Sequence, residues 1–219
     1  RWSERDRFVL SKAHASPVIY AALADRGYFP FEELITFRRI DSRLQGHAHV
    51  MVPGVEFSGG SLGQGFSFAI GLALASKIDG SDSHIYAMIG DGECDEGQIW
   101  EAAMSASHHN IDNLTVVVDR NRIQNDRFTS EAMEIEPLGE KWRAFGWNVQ
   151  ECDGHDVSQL LDALSTKHKI SGQPSCIIAH TTKGKGVSFM ENNPGFHGKA
   201  ATPEELGQAI EEIDSSVLP

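Results

Sequence analysis

The feature that most constrains this chain is a series of apolar strand patterns separated by helical patterns, beginning near residue 84. The strand patterns are short, and their predicted bounds are 84–90, 114–119, 148–154 and 174–181. The pattern at 114–119 is the one uninterrupted β-branched run in the sequence. Helical patterns stand between them at 98–109, 138–146 and 157–168. Continuously apolar strands with helices between them are typical of a parallel sheet that is covered on both faces. The sequence therefore predicts an α/β fold with three layers.

The remainder of the chain is predicted to be helical at its start and irregular near its end. Further helices are predicted at 16–27, 31–39, 66–78 and 203–214. The helix at 66–78 is apolar on nearly all sides, so we expect it to be buried. Long loops are expected at 45–65, which is rich in glycine and histidine, and after residue 183. We expect residues 1–219 to form a single domain, with a C-terminal loop and helix from about residue 183.

Charge excludes one broad class of ligand. The chain has 219 residues, of which 19 are basic and 31 acidic, giving a net charge of −12. Nucleic-acid binding needs a basic surface, so it is not expected here. A polyanionic ligand would need its own counter-charge, and a metal ion supplies that charge most simply.

The cysteines and the apolar runs indicate the cellular compartment of the chain. Cys94, Cys152 and Cys176 lack the spacing of a zinc site or a disulfide framework, which fits a reducing cytoplasm. No apolar run is long enough for a membrane-spanning helix. The chain starts at Arg1 without a signal-peptide pattern, and we expect its natural start to lie upstream.

A carboxylate follows the first strongly predicted strand, in the loop GDGECDEG at 90–97. Asp91 would emerge at the carboxyl end of that strand, where ligands of parallel sheets bind. The flanking glycines let backbone amides approach an anion closely. An EF-hand loop is excluded, because Glu96 and Ala102 occupy the positions that require glycine and glutamate. Taken alone, this loop could equally be an acidic surface turn.

The loop after the next strand favours a metal site. The strand at 114–119 runs into RNRIQND, so Asn121 follows directly after a strand end. Two successive parallel strands end side by side, and we therefore expect Asp91 and Asn121 to converge. A carboxylate, an amide oxygen and a backbone carbonyl suit Mg²⁺ or Ca²⁺. Two protein side chains leave coordination positions for phosphate oxygens, so the pattern predicts a metal-bridged diphosphate site.

These motifs resemble those of a known family. GDG followed by an asparagine at the next strand end is similar to the motif of thiamine-diphosphate enzymes. Six segments, in order along nearly the whole chain, resemble transketolases, and most of all the short N-terminal subunit of transketolases that are split into two chains. The segments are DRFVLSKAHAS (6–16), SGGSLGQG (58–65), GDGECDEGQIWEAA (90–103), AFGWNVQECDGHD (144–156), TTKGKG (181–186) and FHGKA (196–200).

The resemblance implies a thiamine diphosphate-binding fold with a defined set of ligands. The divalent metal, Mg²⁺ or Ca²⁺, would be held by Asp91, Asn121 and the backbone carbonyl of Ile123. Cofactor contacts are implied for His14, Gly60, Ser61, Leu62, Gly92, Glu93, Asn121, Ile123 and His197. Among these, the amide of Gly92 would meet the diphosphate, and the turn Gly60–Leu62 would meet the aminopyrimidine. Many family members have proline where this chain has Ser61.

The resemblance also implies three active-site histidines. His14 and His197 are expected near the cofactor and the donor sugar, and His47 at a substrate hydroxyl. Imidazoles suit a reaction that moves protons near neutral pH. Each of these histidines alone would more often be structural, but their place inside matched motifs favours the functional interpretation. The chain departs from the family at Ala13 and Ala48, and the family's further histidine, in a Ser-Gly-His-Pro-Gly motif, is not in this sequence. Lys183 and Lys185 are predicted either to neutralise phosphate or to lie in a solvated loop.

A partner chain is implied as well. In the family, the glutamate that protonates the aminopyrimidine belongs to a second domain, for which the residues after 183 show no pattern. We expect a C-terminal subunit carrying this pyrimidine-binding domain, as two copies of each chain, with 58–78 at the interface. The predicted reaction is transfer of a two-carbon ketol unit between sugar phosphates in the cytoplasm. Two alternatives remain: another thiamine-diphosphate enzyme subunit (deoxyxylulose-phosphate synthase or the α-type subunit of a 2-oxo acid dehydrogenase), or a catalytically silent binding module. Segments 6–16 and 196–200 favour a transketolase subunit over another thiamine-diphosphate enzyme subunit.

Overall fold

A parallel sheet forms the centre of the protein, in a computed structural model that describes residues 5–165 and 168–217. Five strands pair in parallel in the order β1-β2-β3-β7-β6. Their bounds are β1 (Arg7–Leu10), β2 (Ile85–Gly90), β3 (Leu114–Arg120), β6 (Asn148–Asp153) and β7 (Ser175–His180). A short antiparallel hairpin, β4 (Ile123–Gln124) and β5 (Arg127–Phe128), follows β3.

Helices connect the strands. They are α1 (Ser16–Asp25), α2 (Gln64–Ile78), α3 (Gly97–His108), α4 (Thr129–Ala132), α5 (Leu138–Ala144), α6 (Val157–Ala163) and α7 (Pro203–Val217). Short 3-10 helices lie at Ala13–Ala15, Phe31–Thr36, Gly92–Asp95 and Pro194–Phe196. Within the described ranges, no helix combines the length and the apolar character needed to cross a membrane.

The two faces of the sheet carry different helices, as expected for a three-layer α/β fold. One face packs Ile89, Val118 and Ile178 against α2, α3 and α5 in the main core. The other face packs Leu10 against α1 at one end of the sheet and Ile177 against α6 at the other. The predicted fold class is therefore confirmed.

The face that carries α1 and α6 is less completely covered. Along β2 the side chains alternate between buried and half-buried, and Met88 is on the half-buried side. Met88 lines both a cavity of about 660 Å³ beside α1 and one of about 640 Å³ beside α6. The central strands are thus closely packed on one face and border these two cavities on the other.

Two predicted helices are shorter in the structure, and one strand was not predicted. The helix expected at 31–39 is a 3-10 helix that ends at Thr36, because Phe37 is the extended residue that follows it. The helix expected at 157–168 ends at Ala163, and part of the prediction, 166–167, lies outside the described residues. Strand β1 was not predicted, because it has only four residues and begins with an arginine.

Helix α2 is not buried on all sides, contrary to the prediction. Phe66, Ala69 and Ala73 lie in the core, whereas Ile78 is 76% exposed. Because apolar residues occupy every face of this helix, its sequence does not indicate which face packs against the core. An apolar helix face is therefore left on the surface.

Register places the strand ends level with one another. Gly90 of β2 pairs with Asp119 of β3, which in turn pairs with Ala179 of β7. The loops that follow these strands therefore start at the same edge of the sheet, where the polar residues of the sequence patterns come together.

Candidate functional site

The loops after β2 and β3 meet directly. The backbone N–H of Asp91 donates to the carbonyl of Asp119 over 3.2 Å. The backbone N–H of Arg122 donates to Oδ2 of Asp91 over 2.5 Å. Asp91 and Asn121 line the same cavity of about 380 Å³, so the structure brings together the two side chains that the sequence predicts to converge.

Most of the predicted site residues line this cavity. They are His14, Gly60, Leu62, Asp91, Gly92, Glu93, Asn121, Ile123 and His197. Two predicted residues are not among its lining: Ser61, which is exposed in its turn, and His47, which is exposed on the loop at 45–65. His47 is still near the site, since its charge contributes to lowering the pKa of His14.

Asp91 is almost completely buried, with 1% of its surface exposed. Its Oδ1 accepts from the N–H of Gly92 over 2.8 Å, and its Oδ2 lies 3.6 Å from Nη1 of Arg120. Burial raises the pKa of Asp91, and the hydrogen bonds from Arg122 and Gly92 partly offset that effect. A cation placed against the remaining lone pairs would offset it further.

Asn121 holds the turn that follows β3. Its Oδ1 accepts from the backbone N–H of Ile123 over 2.9 Å, and Arg122 between them has the left-handed φ of 66°. This turn brings the buried Ile123 to the cavity wall, where β4 begins. A carboxylate, an amide oxygen and a main-chain segment therefore line one space.

Oxygen donors of this kind suit a hard cation better than a soft transition metal. Among the residues that the structure describes, no three histidine, cysteine, aspartate or glutamate side chains gather as a metal site. The set at Asp91 and Asn121 is of another kind, since it relies on an amide and leaves positions open to oxygen atoms of a ligand. The donor chemistry fits Mg²⁺ or Ca²⁺.

Glycines keep backbone close to the cavity. A Cβ on Gly92 would lie 2.8 Å from Cγ of Gln124, so this position requires glycine. Gly60, in the turn before α2, has no atom within 4 Å of an added Cβ and borders open space. Backbone at both places is accessible to an elongated anionic ligand.

Glu93 is buried and fully engaged by the protein. Its Oε1 accepts from Oγ of Ser11 over 2.5 Å and from the N–H of Gly63 over 2.8 Å, and its Oε2 accepts from the N–H of Gly90 over 3.0 Å. Burial raises its pKa, and these donors lower it. Glu93 thus ties the end of β1, the start of α2 and the end of β2 at the cavity wall.

His14 and His197 form a pair, with ring centroids 5.3 Å apart. Partial burial, with Lys12 beside it, lowers the pKa of His14 to about 4. Burial and the charge of Lys183 lower the pKa of His197 as well. Nδ1 of His197 is buried and has no hydrogen-bond partner among the described residues. At neutral pH both rings are uncharged and able to accept a proton.

Residues in the cavity and beside it were missed by sequence reasoning. Lys12 lines the cavity, and its Nζ lies 2.5 Å from Oδ2 of Asp119. The sequence pattern placed Asp119 only at the end of a predicted strand, although strand ends of parallel sheets are where site residues occur. Lys183, left open between two interpretations, lines the cavity, and burial lowers its pKa. Lys185 is exposed and lies 3.6 Å from Glu191, as a solvated loop residue would.

Comparison with known proteins shows which proteins this chain is similar to. The family model described as "Transketolase, thiamine diphosphate binding domain" matches residues 1–214. The chain is 47% identical over 214 residues to the 6-deoxy-6-sulfo-D-fructose transketolase subunit SqwG of Clostridium sp. (strain MSTE9), covering 97% of this chain and 78% of that protein. It is 42% identical over 211 residues to an apulose-4-phosphate transketolase subunit of Actinobacillus succinogenes, covering 96% of this chain and 76% of that protein.

A solved structure shows the same fold. The transketolase from Campylobacter jejuni superposes with a TM-score of 0.92 at 34% sequence identity. That match covers 97% of this chain but 35% of the Campylobacter chain. The chain therefore spans about three quarters of the subunit-type relatives and about a third of this longer transketolase.

Proposed function

This chain belongs to the transketolase family through its thiamine diphosphate-binding domain, and on that premise we propose that it is the diphosphate- and metal-binding subunit of a split transketolase. The proposed reaction is transfer of a two-carbon ketol unit between sugar phosphates, completed by a partner chain. The observation that supports it most is the convergence of Asp91 and Asn121 on one cavity at the ends of β2 and β3. We treat residues 1–219 as one domain, in which 183–219 are the C-terminal loop and helix.

The cavity offers each part of the cofactor a matching group. Asp91, Asn121 and the carbonyl of Ile123 would hold Mg²⁺ or Ca²⁺, whose charge would offset that of the diphosphate. The backbone N–H of Gly92 would donate a hydrogen bond to the diphosphate, and the ammonium of Lys183 would neutralise phosphate charge. The Gly60–Leu62 turn would contact the aminopyrimidine. When bound, thiamine diphosphate supplies the carbanion that takes up the two-carbon unit.

The histidines would handle protons around the substrate. Because the pKa values of His14 and His197 are lowered, both rings are uncharged at neutral pH. His197 lines the cavity, and we propose that its uncharged ring exchanges a proton with a sugar hydroxyl. His47 lies outside the cavity lining, and we propose that it contacts the more distant part of the sugar.

A partner chain is supported by the relatives and by the surface. Both relatives named above are called transketolase subunits. The exposed face of α2 carries Phe68, Gly71, Leu74 and Ile78 at helical spacing, and Met104 of α3 is also exposed. We propose that this apolar stripe, defined by those four residues of α2, packs against the subunit that carries the pyrimidine-binding domain, in an assembly of two copies of each chain. The three free thiols support a cytoplasmic location.

The proposal is tested by reconstitution. The chain is co-expressed with a candidate partner chain, and thiamine diphosphate binding is titrated by calorimetry with and without Mg²⁺. The purified complex is then assayed for transfer from a ketose phosphate to an aldose phosphate. Mg²⁺-dependent binding followed by transfer is expected. Binding without transfer would favour another thiamine-diphosphate reaction, and no binding would indicate a silent module.

A further inference from the structure

Asp119 lies where three segments meet beside the cavity. It is the residue before the end of β3, paired with Gly90 on one side and Ala179 on the other. Its side chain is 17% exposed. Position alone therefore brings this carboxylate to the carboxyl edge of the sheet, between the two neighbouring strand ends.

Three donors from three segments surround the carboxylate. Oδ2 accepts from Nζ of Lys12, which follows β1, over 2.5 Å. Oδ1 accepts from Oγ1 of Thr181, which follows β7, over 2.5 Å. Oδ2 also accepts from Nδ2 of Asn121 over 3.3 Å. Asp119 is therefore engaged by protein groups and leaves the contact with a ligand to its neighbours.

The contact with Asn121 decides which atom of that amide is available. Because Nδ2 of Asn121 donates to Asp119 while Oδ1 accepts from Ile123, a flip of the amide would break both hydrogen bonds. Oδ1 uses one of its two lone pairs on Ile123 and retains the other. A metal ion needs that oxygen, since an amide NH₂ group is a donor only.

Asp119 also balances charge. Lys12 and Lys183 both line the cavity, and the side chain of Lys12 is only 11% exposed. Without Asp119, a largely buried ammonium would stand unpaired next to the place where a divalent cation is expected. The ion pair keeps that repulsion low.

We propose that Asp119 is a positioning residue, which fixes the amide of Asn121 so that its oxygen is available to the metal and pairs with Lys12 so that this charge is balanced beside the ion. This inference rests on the proposed function, because it concerns the residue that would ligate the metal. Groups that orient metal ligands contribute substantially to metal affinity. The role differs from that of Asp91, which would touch the ion itself.

The test compares Asp119→Ala with Asp112→Ala in the complex with the partner chain. Asp112 is a matched control at the opposite edge of the sheet, where its carboxylate accepts from Lys77 and from the N–H of Gly172, each over 2.8 Å. Mg²⁺ affinity is measured by calorimetric titration at saturating thiamine diphosphate, and stability by chemical denaturation. We expect Asp119→Ala to weaken Mg²⁺ binding by about 10- to 100-fold. Asp112→Ala should change stability without changing that affinity.

The outcomes separate this inference from a general loss of structure. Wild-type affinity in Asp119→Ala, or an equal loss in both variants, would overturn it. Should Asp119→Ala fail to fold, Asp119→Asn carries the test with a smaller expected loss, about 2- to 10-fold for one weakened hydrogen bond, and unchanged affinity there would overturn the inference. Absence of Mg²⁺-dependent binding in the wild-type complex would instead contradict the proposed function.

Discussion

His84 is a buried histidine at the edge of the sheet opposite the cavity. Its Nε2 is 2.8 Å from Oγ1 of Thr115, and its Nδ1 is 3.0 Å from Nζ of Lys169. Burial, followed by the charge of Lys169, lowers its pKa from 6.5 to about 4, against the opposing charges of Asp6 and Asp112. The native protein therefore holds this ring uncharged in mildly acidic solution, where the unfolded chain would protonate it.

We expect His84 to contribute to acid destabilisation. Because the unfolded chain binds a proton near pH 6.5 and the native state only near pH 4, the free energy of unfolding falls as pH decreases through that window. At the lower end of that window, near pH 4, the loss in the free energy of unfolding from this one group reaches about 3 kcal/mol. Denaturant titrations at pH 7.5 and 5.0 should show a smaller loss for His84→Gln than for the wild type. The exposed His109→Gln is the control, and an identical pH dependence in all three proteins would contradict the expectation.

At the scale of residues, the sequence predicted strand-end positions and missed long-range partners. Asp91 and Asn121 were found because each follows a strand pattern directly. The pairing of Lys12 with Asp119 was not found, because these residues are 107 positions apart and only the register of β1, β2 and β3 brings them together. The hydrogen bonds that Glu93 accepts from protein donors were missed for the same reason. Its predicted contact with the cofactor stays a prediction.

Two glycines of α2 have opposite surroundings. A Cβ on Gly65 would lie 2.6 Å from Cα of Ser11, so the helix approaches the end of β1 through this residue. A Cβ on Gly71 would meet nothing within 4 Å. One glycine is required by packing, and the other is free of contacts in the isolated chain.

Alanine at these positions should therefore change stability in opposite directions. Gly65→Ala should destabilise the chain by about 1–3 kcal/mol through overpacking. Gly71→Ala should stabilise it by about 0.5–1 kcal/mol, because alanine has less backbone entropy to lose in a helix. Denaturant unfolding of the isolated chain measures both. Stabilisation by Gly65→Ala, or a clear loss of stability in Gly71→Ala, would be inconsistent with this packing.

At the scale of elements, strongly periodic or strongly apolar segments were predicted well. Strands β2, β3, β6 and β7 agree with their predicted ranges within a residue. Strand β1 was missed, because four residues are too few to show a pattern. The exposed face of α2 could not be predicted, since its composition is the same toward the core and toward the surface.

The whole molecule exposes the apolar stripe on α2, which we propose meets the partner chain. Leu74 lies within the stripe, whereas Leu161 on α6 is an exposed leucine outside it. Leu74→Glu should abolish co-purification with the partner and leave the isolated chain folded, because a charge would be buried only in the complex. Leu161→Glu should leave the complex intact. Equal retention of the partner by both variants, measured by affinity pull-down and size exclusion, would place the interface elsewhere.

The order of the strands lay beyond the sequence patterns, although the three-layer class did not. Parallel pairing of β3 with β7 inserts a strand from late in the chain between β3 and β6. This arrangement brings Lys183 to the cavity and Thr181 to Asp119, and it needs non-local packing that no local pattern encodes. The site is accordingly a property of the assembled sheet, built from residues after β1, β2, β3 and β7.

The central claim is that Asp91 and Asn121 hold a divalent ion that anchors thiamine diphosphate. A crystal structure of the complex grown with thiamine diphosphate and Ca²⁺ tests it most directly, because anomalous scattering locates the ion. We expect Ca²⁺ at about 2.3–2.6 Å from a carboxylate oxygen of Asp91, Oδ1 of Asn121 and the carbonyl oxygen of Ile123, with the diphosphate completing the shell. An ion bound elsewhere, or a cofactor bound without contact to these residues, would contradict the account.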